Sequence, residues 1–495
     1  MTKTGNIDFS DIQGIVKRGY GSLSAACYLL ISIQDSSKAL PWLRELAGQV
    51  TFSDIKPYEQ AVNLALTHHG LSRLGLDSSV LESFSDEFRA GMNTPHKRNI
   101  LGDHDENSPE HWLWGGPATE PVDILLLCYA KNKSHLNTYA KHLQKGMSEN
   151  GMTLLEKLDT ETLLDGKEHF GFRDSIGQPF INEFDTTHLD QSTNQNKNLE
   201  QKNPVPLGEI LLGYPNGYDR YTQRPLINSE QDPKNILDIS AENNAQHDLG
   251  LNGTYLVFRQ LFQDVPKFWN TLNHFAQQEQ SDSQNKNSHQ DAIKLASKMV
   301  GRWPSGTALV QSPEKDDLSI LDRDNFSYHS TDPDGLKCPL GAHIRRTHPR
   351  DSLAPEPGSE KSIEFSNRHR LLRRGRAYGK PFDTSMNPET FLKNINKEAA
   401  PVSRGLHFIC LNANIGRQFE FVQHTWANNP NFNGLYQDPD PIIGSRTMNG
   451  SHADQFTIQK CPARSQIANL PAFIQTRGGA YFFLPSRRAL TFLLA

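Results

Sequence analysis

Apolar and polar positions alternate in blocks along the chain, and the first half reads as a repeating strand and helix pattern. The run AACYLLISI (25–33) predicts a strand, and LPWLRELAGQV (40–50) places its apolar residues at helical spacing. AVNLALT (61–67) predicts a second strand, followed by HHGLSRLGL (68–76), a helix starting beside the sheet. PVDILLLCYA (121–130) reads as a buried strand and KNKSHLNTYAKHLQKGM (131–147) as an amphipathic helix. Strand, helix, strand, strand, helix, strand is the order of a ferredoxin-like unit. The second half repeats the alternation. NGTYLVFRQL (252–261), GLHFICLNANI (405–415) and GGAYFFLPS (478–486) predict strands, while VPKFWNTLNHFAQQ (265–278) and GRQFEFVQHTWANN (416–429) predict helices. The expectation is an α+β fold of two ferredoxin-like domains, residues 1–215 and 216–495, although no simple period marks a repeat.

Polar tracts interrupt this pattern. Residues 185–250 turn polar, with QSTNQNKNLEQKN (191–203) and INSEQDPKN (227–235), and between them PLGEILLGYPN (206–216) predicts one more strand. QQEQSDSQNKNSHQD (277–291) is a further polar stretch. Insertions near 185–205, 227–250 and 277–291 are therefore expected to be solvated loops, with too few apolar groups to fold alone. They account for much of the low apolar content, 36%, and the mean hydropathy of -0.61. A length of 495 residues exceeds the usual single core. The net charge of -5 gives no push toward nucleic acid or anionic membrane. Five cysteines, odd in number and without a CxxC pair, argue against a disulfide framework or zinc cluster. The start MTKTGNIDFSDIQG has neither an apolar segment nor a twin arginine, so a signal peptide is not expected and the reading is cytoplasmic.

Three stretches carry candidate chemistry. In CPLGAHIRRTHPR (338–350), His343 is followed by Arg345, Arg346, His348 and Arg350. A neutral imidazole can ligate a metal while guanidiniums hold anionic groups on that metal's carrier, which is what a haem needs. A histidine beside arginines is more often structural, however. Asp174, in GFRDSIGQP (171–179), is held on a tight loop, where an aspartate ordinarily caps its own turn. Arg373, in LLRRGRAYG (371–379), follows an apolar pair and can point inward only to meet an anion. His68 and His69 read as a helix start, and GDHDEN (102–107) as a loop before a cation site. Without further context, His343, His348 and Asp174 could equally serve a mononuclear hydrolase.

Together these stretches are far more specific. DIQG (11–14), GFRDSIGQP, LLGYPN (211–216), NGTYLVFRQL, KMVGRWPSG (298–306), CPLGAHIRRTHPR, LLRRGRAYG, GLHFICLNANIGRQFEFVQHTW (405–426) and RGGAYFFLPS (477–486) resemble, in order, the dye-decolourising peroxidases of the larger fungal and cyanobacterial type. The resemblance implies two ferredoxin-like domains of the dimeric α+β barrel kind, each an antiparallel sheet with peripheral helices. It also implies non-covalent haem b in the C-terminal half, and there is no CxxCH for covalent attachment. By the same resemblance His343 is the axial iron ligand, Asp174 the distal acid and Arg373 the distal arginine. Arg350 would meet a haem propionate, Leu406 and Phe408 line the distal side, and Asp440 accepts the other N–H of His343. Ser175 and Gly177 share the distal loop. Two positions depart from the family pattern: Ser175 stands for a glycine of GxxDG, and His348 for the asparagine of Asn-Pro-Arg. Serine there is expected either to force a different backbone or to offer its hydroxyl to a propionate.

The implied activity is reduction of hydrogen peroxide and oxidation of dyes, phenols and other aromatic reductants. Asp174 would move a proton from one peroxide oxygen to the other, and Arg373 would stabilise the charge that develops. An aspartate base survives mild acid where a histidine base does not, so an acid-shifted optimum is expected. Tyr378 and Trp426 are candidates to relay electrons from bulky dyes, against the ordinary reading of packing. The alternative class is a haem-binding protein for storage, sensing or iron release. Chlorite dismutation uses the same fold, but Asp174 with Arg373 favours the peroxidase.

Overall fold

The computed structural model describes residues 7–184, 203–279, 288–320, 323–398, 402–448 and 451–495. The wholly apolar runs become the central strands, as their burial demands. In chain order the main sheet contains β1 (Ala25–Ile33), β2 (Gln60–Leu66), β3 (Ile124–Ala130) and β4 (Met152–Asp159). It continues with β5 (Thr254–Gln263), β6 (Leu372–Arg373), β7 (Arg376–Tyr378), β8 (Gly405–Asn412) and β9 (Ile474–Leu484). The spatial order is β4-β1-β3-β2-β9-β5-β8-β6, with β7 also on β8.

That order contains the same antiparallel arrangement twice. In the first block the chain runs β1, helix α1 (Ser36–Ala47), β2, β3, helix α2 (Lys133–Glu149), β4, paired 4-1-3-2. In the second, β5 leads to helix α3 (Val265–Glu279), and β6 and β7 then pair with β8 before β9 returns beside β5. Both blocks are ferredoxin-like. They join edge to edge through one residue pair, Phe483 with Leu66, so the sheet is continuous only narrowly. Caps follow from sequence: Asp35 accepts from the Ser37 and Lys38 amides, and Asn132 from the His135 amide.

Several expectations need correction. Residues 206–216 do not form a strand; Leu207–Glu209 is a single 3-10 turn and the chain folds back. A Cβ on Gly208 would lie 2.3 Å from the Pro215 carbonyl oxygen, so only glycine permits that approach. The stretch 416–429 is helical, but in two wide π-type pieces, Gly416–Glu420 and Val422–Ala427. Gln418 explains part of this departure, since its amide nitrogen donates to the carbonyls of Glu209 and Arg370 on neighbouring segments.

Two insertions are more ordered than composition implied. Residues 227–250 form a small satellite around the strand pair 226–228 and 246–248, in which Arg224 pairs with Asp248 and Glu242. There Asp232 accepts from the Ile236 and Leu237 amides and from His247, while Ile227, Leu237 and Leu249 are buried in the main core, so a polar tract is held by side-chain hydrogen bonds and a few apolar anchors. The tract 277–291 is entered by α3 up to Glu279 and left by helix α4, which begins at Ser288. Gln and Glu are good helix formers, so polarity alone did not end α3. The tract 191–203 lies outside the described residues except Asn203. Strand β4 was not located from sequence, because as an edge strand it has only two fully buried positions, Met152 and Leu158. Among the described residues no helix is long and apolar enough to cross a membrane.

Candidate functional site

A cavity of about 750 Å³ opens against the second block. Leu406 and Phe408 of β8 line it, and Leu261 of β5 stands directly opposite Leu406 in the register. Successive strand residues point to opposite faces, so His407, between them, faces away. It packs instead against Tyr28, Phe258 and Tyr378.

His343 begins the short helix α5 (His343–Thr347) and lines this cavity. Its Nδ1 lies 2.9 Å from Asp440 Oδ2. Asp440 is fully buried, and its other oxygen accepts from the Ile442 and Ile443 amides at 2.8 and 3.0 Å. With Nδ1 committed, Nε2 is the nitrogen available to the cavity, and the 28% exposure of the side chain is area on the cavity wall. Burial disfavours the imidazolium, yet the Asp440 carboxylate outweighs it, and the pKa of His343 is raised. A carboxylate behind an imidazole fixes its tautomer and raises its basicity toward a metal.

The arginines nearest His343 in sequence do something other than expected. Arg345 turns inward to Asp332 and the Cys338 carbonyl, and Arg346 to the carbonyls of Gly341, Trp426 and Asn429. Both are essentially fully buried and anchor α5 rather than offering charge to the cavity. Cations of the cavity come from further away in sequence, Arg302, Arg350, Arg370 and Arg373 among them. Arg350 donates to Asp324 Oδ1 at 2.6 Å and its guanidinium lies 4.0 Å from the Phe326 ring centre. Arg302 meets the same Asp324 oxygen at 2.6 Å, so a propionate at Arg350 would share that group with Asp324. His348 is buried against Arg370, whose Nη2 also donates to the Gly177 carbonyl. Burial first, then Arg370, Arg350, Arg373 and Arg302, hold the pKa of His348 well below its ordinary value, so it is a neutral donor or acceptor here.

Further groups of the cavity come from the 166–178 loop. Its Phe170 stacks on Phe268 of α3 at 4.3 Å, and Phe172 lies parallel to Trp269. The loop assigned to the N-terminal domain thus packs into the core of the second block. Asp174 lies at its tip, lining the cavity, with its amide bonded to the Gly166 carbonyl. The carboxylate accepts from the Ser175 amide at 2.6 Å. Ser175 takes a left-handed backbone, φ 65°, so the chain keeps a glycine-like conformation and bears the strain with a side chain. Gly177 is also left-handed, φ 71°, and a Cβ there would approach Asp324 Oδ1 at 3.3 Å. Replacing Ser175 by glycine is therefore expected to leave the thermal midpoint unchanged or raise it, by no more than about 1 kcal/mol equivalent; a clear fall would show that the serine side chain stabilises the loop.

Arg373 is tied to the same loop. Its Nη2 donates to the Ile176 carbonyl at 2.6 Å, and its backbone N–H and C=O are both bonded by the side-chain amide of Gln178. Asp174, Arg373 and His343 are thereby brought to one cavity from three separate segments. Tyr378 is not there: it is buried on the other face of the sheet, stacked on His407 with ring centres 4.5 Å apart. Trp426 is buried too, against His369 and Phe421, so neither candidate relay is a surface aromatic. Sequence reasoning passed over Arg370, Gln178, Asp324 and Glu168. Arg370 immediately precedes LLRRGRAYG, and Gln178 belongs to GFRDSIGQP, so both were within reach of the motifs.

The donor set fits a haem. One imidazole backed by a carboxylate, guanidiniums on the cavity wall, and Leu406, Phe408, Phe419 and Val422 for apolar contact are what an iron, two propionates and a porphyrin require. Among the described residues no group of three or more His, Cys, Asp and Glu side chains is placed to hold a bare metal ion.

No protein-family model matches the chain. A dye-decolorizing peroxidase from Mycena epipterygia is 29% identical over 476 residues, 90% of this chain and 78% of that protein. The multifunctional dye peroxidase DyP2 of an Amycolatopsis species is 27% identical, covering 94% and 89%. A solved structure of an ancestral D-type dye-decolorizing peroxidase superposes with a TM-score of 0.76 at 24% identity, over 99% of this chain and 100% of that one. One of a DyP-type peroxidase from Anabaena gives 0.74 at 22%, covering 98% and 94%. With matching motifs in order, a matching fold and relatives aligned over most of their length, the chain is similar along nearly all of its length to dye-decolourising peroxidases.

Proposed function

We propose that the protein is a haem b peroxidase that reduces hydrogen peroxide and oxidises dyes, phenols and other aromatic reductants. The observation that carries this reading is the convergence of His343, Asp174 and Arg373 on one cavity, with Asp440 behind the imidazole. A haem carrier needs the imidazole but has no use for a carboxylate and a guanidinium beside it. Residues 1–215 and 216–495 are read as the two domains, with the catalytic loop reaching from the first into the second.

Haem, when bound, supplies the iron at which the O–O bond of peroxide is broken. His343 would hold that iron through Nε2, with Asp440 keeping Nδ1 protonated and the ring oriented. Arg350, Arg370 and His348 stand where propionates could be held, and Leu406 and Phe408 exclude water. Asp174 takes the proton from one peroxide oxygen and returns it to the other, so that water can leave. Arg373, fixed by Ile176 and Gln178, places its guanidinium to stabilise the negative charge that develops on the departing oxygen. The test is a visible spectrum of the purified protein, followed by rapid mixing with peroxide. A Soret band that changes within the mixing experiment supports the reading; a haem spectrum inert to peroxide refutes it.

A further inference from the structure

Glu168 is a buried carboxylate that the reaction above does not use. It lines the cavity six residues before Asp174. One of its oxygens accepts from the Phe172 amide at 3.0 Å. The other accepts from the Phe170 amide at 2.9 Å and from the Gln263 side-chain amide of β5 at 2.6 Å. Among the described residues, N–H donors and no cation hold it. Its own backbone closes the turn, since the Glu168 N–H donates to Phe172 O and the Gly171 N–H to Glu168 O. The turn is thus wound around one side chain and pinned by it to the sheet. Only a carboxylate has acceptors enough for all three donors; a glutamine there would turn an NH2 against an amide N–H.

We infer that Glu168 is a positioning residue for Asp174, holding the loop so that the Asp174 carboxylate stands at a fixed place in the cavity. This rests on the peroxidase reading. The charged groups around Glu168 are Lys167 and Asp174 on its own loop, with Asp264 and Lys267 lining the same cavity beyond the end of β5. Burial pushes the pKa of Glu168 up to about 7, against the opposing effect of its three N–H donors. Its carboxylate gains charge as pH rises through neutrality, so the grip on the loop changes there. The consequence is a pH dependence of the peroxide step near neutrality.

The experiment uses the haem-loaded full chain, with rapid mixing against peroxide from pH 5 to pH 9 and amide hydrogen exchange across residues 166–178. The wild-type rate should show a step near pH 7. Glu168→Gln should remove that step, lower the rate about 100-fold, the scale of a misplaced catalytic group, and speed exchange at Phe170 and Phe172. Gln263→Leu deletes one donor that favours the charged form, so it should retain the step and move it to higher pH. A Glu168→Gln protein with wild-type rate, step and exchange overturns the inference. Should that variant not fold, a step unmoved in Gln263→Leu overturns it as well. A wild-type protein inert to peroxide would sink the peroxidase reading instead, while the exchange data would still decide what Glu168 does to the loop.

Discussion

Asp174→Asn is expected to slow the peroxide-driven change of the visible spectrum by about 100- to 10,000-fold, the range that a positioned acid-base group contributes. Haem content and the resting spectrum should be unchanged, because among the described residues the hydrogen bonds of Asp174 stay within its own loop, to Ser175 and Gly166. An asparagine keeps the shape and can still accept from the Ser175 amide through its carbonyl. What it cannot do is take a proton from one peroxide oxygen and deliver it to the other. Rapid mixing at a fixed pH reads this directly. A variant with an undiminished rate would shift the acid-base role away from Asp174, with Arg373, whose guanidinium is tied to the same loop, as the next group to test.

On the proposed role of His343, His343→Ala is expected to remove the nitrogen that would hold the iron and with it tight haem binding, a loss of at least about 100-fold in affinity by Soret titration, beyond the 10- to 100-fold typical when only a partner behind the ligand is changed. Asp440→Asn, which alters only that partner, should fall within the smaller range. The alanine variant should also lose stability without haem. Asp440 is fully buried and its pKa is lowered, burial being outweighed chiefly by His343. Deleting the imidazole leaves one carboxylate oxygen without that partner, at a cost of about 1–3 kcal/mol. Because the native pKa of Asp440 is depressed, the stabilisation is present above its unfolded value and is lost as pH falls through the native one. The raised pKa of His343 has the opposite sense, so its contribution fades as pH rises through the native value. The stability difference between wild type and His343→Ala should therefore be largest between the carboxylate and imidazole ranges, and melting curves across pH would check it.

Much of this architecture was legible because buried strands need uninterrupted apolar runs, as in 25–33 and 124–130. Both blocks could be read in that way, whereas the three segments that meet at the cavity were legible only through His343, Asp174 and Arg373 and the motifs around them. The edge strand Met152–Asp159 could not, since one exposed face dilutes its pattern. Local charge was also misleading around His343. Arg345 and Arg346 seemed placed for an anion by proximity, but the turn of α5 carries them into the core, to Asp332 and to carbonyl oxygens. Which guanidinium reaches the cavity depends on long-range packing, and Arg302 and Arg370 lie tens of residues from one another in sequence. Glu168 was silent for a related reason: a glutamate in a polar loop carries no mark of the three N–H groups that fold around it.

The most direct test of the central claim is a crystal structure of the haem-loaded protein. The account predicts His343 Nε2 bonded to the iron, with Asp440 still on Nδ1, and Asp174 and Arg373 together on the opposite side of the porphyrin. Iron held by any other residue, or a 166–178 loop turned away from the porphyrin, would contradict it.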